Sequence, residues 1–202
     1  MTDTAAPPPD SRPADAERTD HATHAAILEA TRHWLTRAVI GLNLCPFAKS
    51  VHVKNQVRYV ISEATALEGV LADLERELQA LAEADAAEID TTLLILPHAL
   101  ADFADFNDAT WFAERLVKQL RLEGTLQVAS FHPHYQFEGT GPDDIENYTN
   151  RAPFPILHLL REASIERAVE AFPDAADIYE RNQETLRKLG LEGWHDWMSK
   201  RD

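Results

Sequence analysis

Thr91-Thr92-Leu93-Leu94-Ile95-Leu96, closed by Pro97, is a short unbroken apolar run, and how it is read decides the fold. It is too short for an ordinary helix. A strand covered on both faces has this pattern, with no polar alternation, and such strands sit in sheets flanked by helices.

The stretches on either side fit that reading. Upstream, Leu67 to Leu81 carries leucines at 67, 71, 74, 78 and 81, which predicts an amphipathic helix with its charges on the far side. Before it, Gln56 to Ser62 alternates as a strand does. Downstream, Asp102 to Leu122 predicts a second long helix ending at Gly124, and Leu126 to Phe131 a third strand ended by His132-Pro133. Nearer the start, Ile27, Leu28, Trp34, Leu35, Val39 and Ile40 recur at helical spacing from about Thr23, and Gly41 supplies a stop. Pro46 prevents Leu42 to Lys49 from continuing that helix.

His132 to Pro155 has two glycines, four prolines and little periodicity, and so predicts a long loop. Loops of that length inside a compact domain are usually functional. Helices are expected again over Ile156 to Phe172 and Ala175 to Leu189, with a short piece around Trp194 to Met198. The order implies right-handed crossovers and an α/β fold. The expected architecture is one layered domain over residues 23–202, with a small, mostly parallel sheet of three or four strands flanked by helices. Trp34, Leu71, Leu74, Leu78, Leu93, Ile95, Val128 and Leu160 are the expected core. Residues 1–22 are rich in Ala, Pro and Asp, with little to bury, and predict a disordered tail.

Composition excludes several classes. The chain has 202 residues, 19 of them basic and 34 acidic, for a net charge of −15. A chain this negative would repel phosphate backbones, so no nucleic-acid partner is expected. One cysteine allows no internal disulfide and no Cys-rich zinc module. No apolar run approaches the roughly 20 residues needed to span a bilayer, so no membrane partner is expected. Met1 to Asp20 lacks the apolar core of a signal peptide, and the expected compartment is the cytoplasm. The counts leave the oligomeric state open.

Three islands carry more chemistry than folding needs. The first surrounds Cys45, in Asn43-Leu44-Cys45-Pro46-Phe47, just past a predicted helix end. A buried cysteine is often only a small hydrophobe. A nucleophilic or redox thiol needs a base or cation nearby to lower its pKa.

The second runs from Ser130 to Thr140 and places His132 at the C-terminal end of a strand, where open α/β sheets bind ligands. His132, His134 and Glu138 also spell HxHxxxE, the ligand run of the first cupin motif. Cupins are all-β barrels, which the helical patterns contradict. A bound metal ion therefore stands as an alternative, held by His132, His134 and His158.

The third island runs from Asn147 to Glu162. On the helix expected after Pro155, His158, Arg161 and Glu162 would share one face. Glu162 would then orient His158 for acid–base work. Arg151 and Arg161 would clamp a carboxylate or phosphate, or else pin helix to loop.

GLNLCPFAK (Gly41 to Lys49), TTLLILP (Thr91 to Pro97), Asp105-Phe106, QVASFHPHYQFEGT (Gln127 to Thr140) and NYTNRAPFPILHLLREASIERAV (Asn147 to Val169) together resemble an uncharacterised bacterial family, known only as a conserved domain of unknown function. The resemblance spans about residues 25 to 190. It implies a small cytosolic α/β domain without an assigned reaction. The pattern it matches includes Cys45, His132, Tyr135, Asn147, Asn150, Arg151, His158, Arg161 and Glu162. His134 and Glu138 fall outside it, which weakens the metal reading, and Ala152 stands where a serine is expected.

The leading expectation is an enzyme acting on a small anionic molecule. Cys45 would be its thiol, His132 or His158 the base, and Glu162 the group orienting His158. Asn147, Asn150, Arg151, Arg161 and Tyr135 would bind substrate. The alternatives are the metal-binding protein and a noncatalytic ligand- or partner-binding module.

Overall fold

A computed structural model describes residues 14–171 and 177–200. The expected tail of residues 1–22 lies outside them as far as residue 13. From Ala14 onward the backbone is already helical.

The described residues form six α-helices and four strands, a mixed α/β fold. The helices are α1 (Ala14–Trp34), α2 (Ala48–Val53), α3 (Leu67–Glu83), α4 (Phe103–Gln119), α5 (Glu162–Ala171) and α6 (Ile178–Ser199). The strands are β1 (Val57–Ile61), β2 (Thr91–Ile95), β3 (Leu126–Phe131) and β4 (Ile156–Arg161), ordered β1-β2-β4-β3 in one open sheet. β1 and β2 pair in parallel, while β4 lies antiparallel to both β2 and β3. Three strands thus share one direction and β4 opposes them. This is the mostly parallel sheet the sequence predicts, with a reversed strand at its centre.

That central strand corrects one expectation. Ile156 to Arg161 is not the start of a helix; the helix begins at Glu162. The run ILHLLR fits either form by periodicity alone, and position decides. Between β2 and β3 both of its edges find backbone partners. The Leu96 amide extends the ladder to the Pro155 carbonyl at 2.9 Å. His158, Arg161 and Glu162 therefore do not form a helical face, because side chains alternate across a strand.

The sheet separates two cores. All of β2 is buried, with Leu94 packing toward α3 and α4 and Leu93 and Ile95 toward α1 and α6. Leu74, Leu78 and Leu81 of α3 and Phe106, Ala113 and Val117 of α4 close the first side. Trp34, Leu35, Val39, Leu186 and Trp194 close the second. Of the expected core, Leu71, Val128 and Leu160 are only partly buried.

Local chemistry sets the ends of the elements. The Asp102 carboxylate accepts from the Ala104 and Asp105 amides at 2.9 and 3.1 Å, capping α4. Gly190 has φ 66 and ψ 173, a break that bends α6 between its two expected pieces.

Candidate functional site

The turn that presents Cys45 is built by an irregular helix end. α1 widens into a π-helical turn over Leu35–Ile40, and the Gly41 amide donates to the Thr36 carbonyl, five residues back, at 2.9 Å. The widening brings the Arg37 carbonyl so close that a Cβ on Gly41 would lie 2.3 Å from its oxygen. Asn43 then takes the left-handed conformation at φ 55, and the Leu44 and Cys45 amides both turn to the Val39 carbonyl. Asn182, buried in α6, donates from Nδ2 to the Leu44 carbonyl at 2.8 Å and locks the turn.

Cys45 is partly buried there. Burial pushes its thiol pKa up, and the Phe47 and Ala48 amides pull it back only in part. It is a neutral thiol at neutral pH.

His158 stands mid-strand in β4, paired with Leu93 on one side and Ala129 on the other. Thr91 Oγ1 lies 2.7 Å from its Nε2 and 2.6 Å from the Leu159 carbonyl. The single hydroxyl proton goes to the carbonyl, so Oγ1 accepts from Nε2–H and leaves Nδ1 unprotonated. Burial lowers the His158 pKa to about 4.

Cys45 and His158 line the same cavity, of about 780 Å3, over the sheet face that carries α1. Every strand contributes to its floor: Val57, Thr91 and Leu93, Ala129 and Phe131, His158 and Leu160. Trp34, Leu35 and Val39 form one wall, the segment from Cys45 through α2 to Lys54 another, and Ser164 to Ala168 of α5 a third. The surface is overwhelmingly apolar. Its polar groups are Cys45, Thr91 and His158, joined by Ser50, Lys54, Gln56, Asp90, Ser164 and Arg167. Ser164 Oγ donates to Asp90 Oδ1 at 2.6 Å and accepts from Arg167 Nη2 at 2.9 Å.

His132 is elsewhere. Phe131 pairs with Ile156 and Ala129 with His158, so by strand alternation the next residue, His132, turns to the opposite face. It is fully buried there, between Phe103 and Phe106 of α4. Nε2 reaches the Leu100 carbonyl at 3.1 Å, and Nδ1 accepts from the His134 amide at 3.0 Å. With both nitrogens engaged and its pKa lowered by burial, it is a packed neutral imidazole out of reach of Cys45. His132, His134 and His158 consequently do not converge, and among the described residues no group of three or more His, Cys, Asp or Glu could hold a metal ion. Glu138 is exposed.

The expected anion-binding residues do not meet at the cavity either. Arg161 points to the far face, where its guanidinium donates to the Leu81, Ala84 and Ile89 carbonyls and caps the end of α3. Asn147, fully buried, accepts from the Phe137 amide and the Thr140 hydroxyl and donates to the Gly141 carbonyl. Asn150 donates to the Ser130 carbonyl. Arg151 donates to the Tyr135 and Pro142 carbonyls, and its guanidinium lies over the Tyr148 ring, 4.4 Å from the centroid. Tyr135 packs on Phe103 and Phe137. Together these side chains organise the long loop after β3. A smaller cleft of about 360 Å3 beside Arg151 also carries Asp102 and Asp143, whose negative charge opposes an anion. Glu162 opens α5 through its amide, bonded to the Thr125 carbonyl at 3.0 Å.

Sequence reasoning thus picked out Cys45 and His158 but missed Thr91, Lys54, Gln56 and Arg167. Thr91 had a signal, a hydroxyl on the same strand face as Leu93. Lys54 had none, because α2 was not recognised. Gln56 and Arg167, though inside a predicted strand and a predicted helix, had no signal that they would meet at one cavity.

The fold and cavity define a mixed α/β protein with a chamber roofed by short helices. A sequence model described as Protein of unknown function (DUF1415) matches residues 26–196, and the chain belongs to that family. No curated protein and no solved structure matches it. Among the described residues, no helix is long and apolar enough to cross a membrane.

Proposed function

We propose that the protein binds a small, largely apolar molecule in the cavity over the sheet, with Cys45, Thr91 and His158 facing it. The observation that carries this reading is the cavity itself. A volume of about 780 Å3 with apolar walls and a few placed polar groups falls within the range of small-molecule sites. Retaining a histidine on the floor of an apolar chamber also favours a ligand, since a leucine there would pack more simply. The test is mass spectrometry of the protein under native conditions, followed by thermal shift with a panel of apolar small molecules. A ligand-free protein that no member of the panel stabilises would overturn the proposal.

A second reading, an enzyme using Cys45 with His158 as its base, is favoured by their sharing one cavity. A neutral imidazole with Nδ1 unprotonated can accept a thiol proton. The raised thiol pKa weighs against a standing nucleophile, so activation would have to come with the ligand. Loss of turnover in Cys45→Ser with ligand binding retained would support this reading, and unchanged turnover would exclude it.

A further inference from the structure

The distribution of charge around the cavity narrows the class of molecule it would hold. Cys45, Thr91 and His158, the polar groups on its floor and beside it, are all neutral at neutral pH. None can counter an ionised head. The charged groups of the lining are Lys54, Arg167 and Asp90. Lys54 ends α2, and among the described residues no carboxylate pairs with its ammonium. Arg167 comes from α5 and is held by the neutral Ser164 hydroxyl. Asp90 is engaged by that same hydroxyl, so its bond to Ser164 steers Arg167 without directly neutralising it. The lining therefore carries two cations against one carboxylate, in a chain whose net charge is −15.

We propose that the ligand is an anionic amphiphile, an aliphatic chain ending in a carboxylate, with its chain over the sheet and its head between Lys54 and Arg167. This rests on the cavity being a ligand site. The chain displaces water from the Leu93, Phe131 and Leu160 floor, which supplies most of the affinity. The carboxylate brings the lining to charge balance and accepts charge-assisted hydrogen bonds from both cations. A protonated amine head would meet those cations instead and be repelled.

The experiment titrates the full chain with dodecanoate, dodecanol and dodecylamine at pH 7, by calorimetry and by thermal shift, below the concentrations at which they self-associate. Dodecanoate is expected to bind about tenfold more tightly than dodecanol, and dodecylamine most weakly. Raised salt should narrow the gap between acid and alcohol. In the double variant Lys54→Gln, Arg167→Gln, dodecanoate should fall to the level of dodecanol while dodecanol itself is unchanged. Both positions are exposed, so the variant is expected to fold. Equal affinity for acid and alcohol, or an acid preference that survives the double variant, would overturn the inference and leave the cavity reading standing. Failure of all three to bind would overturn the inference, while the cavity reading falls only if the protein is also ligand-free and no member of the apolar panel stabilises it.

Discussion

Thr91 holds His158 in a single tautomer: its hydroxyl donates to the Leu159 carbonyl at 2.6 Å and accepts from His158 Nε2 at 2.7 Å. The imidazole is thus neutral, oriented, and without a carboxylate to favour its charged form. Its pKa of about 4 lies below the ordinary 6.5, so between these values the unfolded chain binds more protons than the folded one. Stability is therefore full above pH 6.5 and falls as pH drops toward 4. The contribution of this group is at most about 3 kcal/mol. Urea denaturation at pH 5 and pH 7 should show the loss. His158→Gln should show a smaller one, with the remainder including His132, whose pKa is lowered in the same direction.

Gly41 tests the turn before Cys45. Its φ of −66 is open to any residue, and helix propensity alone would favour alanine by roughly 1 kcal/mol. The 2.3 Å approach of the Arg37 carbonyl reverses that preference. Gly41→Ala should lower stability by about 1–3 kcal/mol, read as a lower urea midpoint. A neutral or stabilising result would show that the π turn relaxes at no cost.

Cys45 should be a slow thiol. With its pKa raised above the ordinary 9.0, alkylation by iodoacetamide at pH 7 should lag behind that of free cysteine. The rate should keep rising beyond the pH at which an unperturbed thiol levels off. An occupied cavity should slow it further. Alkylation faster than free cysteine at neutral pH would point to an activating cation not seen in this geometry.

Arg161 should matter for stability and not for binding. Arg161→Met removes the donors that hold the Leu81, Ala84 and Ile89 carbonyls, at a cost of about 2–3 kcal/mol. Because the side chain lies on the sheet face away from the cavity, ligand affinity should stay within twofold in calorimetry. A large loss of affinity would return Arg161 to the binding site.

How far the chain could be read in advance depended on the kind of signal. The α3 leucines were legible by their period, and TTLLIL and the β3 run by their length and the prolines that follow them. ILHLLR was not, since a run this short fits strand and helix alike, and Pro155 before it suits the first turn of a helix. That one misreading put His158, Arg161 and Glu162 on a shared helix face, whereas His158 and Arg161 lie on opposite sides of the sheet and Glu162 opens α5. Asn147, Asn150 and Arg151 looked like ligand groups because a side chain that ties a loop together and one that holds a substrate are the same amides and guanidinium. The cavity had no linear signature. It forms where α1, α2 and α5 leave a sheet face uncovered, and it gathers residues from Trp34 to Ala168.

The reversed central strand has a consequence for synthesis. In a nascent chain that has emerged only as far as the long loop, β1 has its partner β2 available, but the second edge of β2 is bare and β3 has nothing to join. Only when Ile156 to Arg161 leaves the ribosome can that strand slot between them and complete the sheet. Completion of the sheet thus waits on the fourth strand in chain order. Until then two open strand edges must be kept from pairing with other chains. An arrest series placed on either side of residue 161 should show protease resistance arriving in one step.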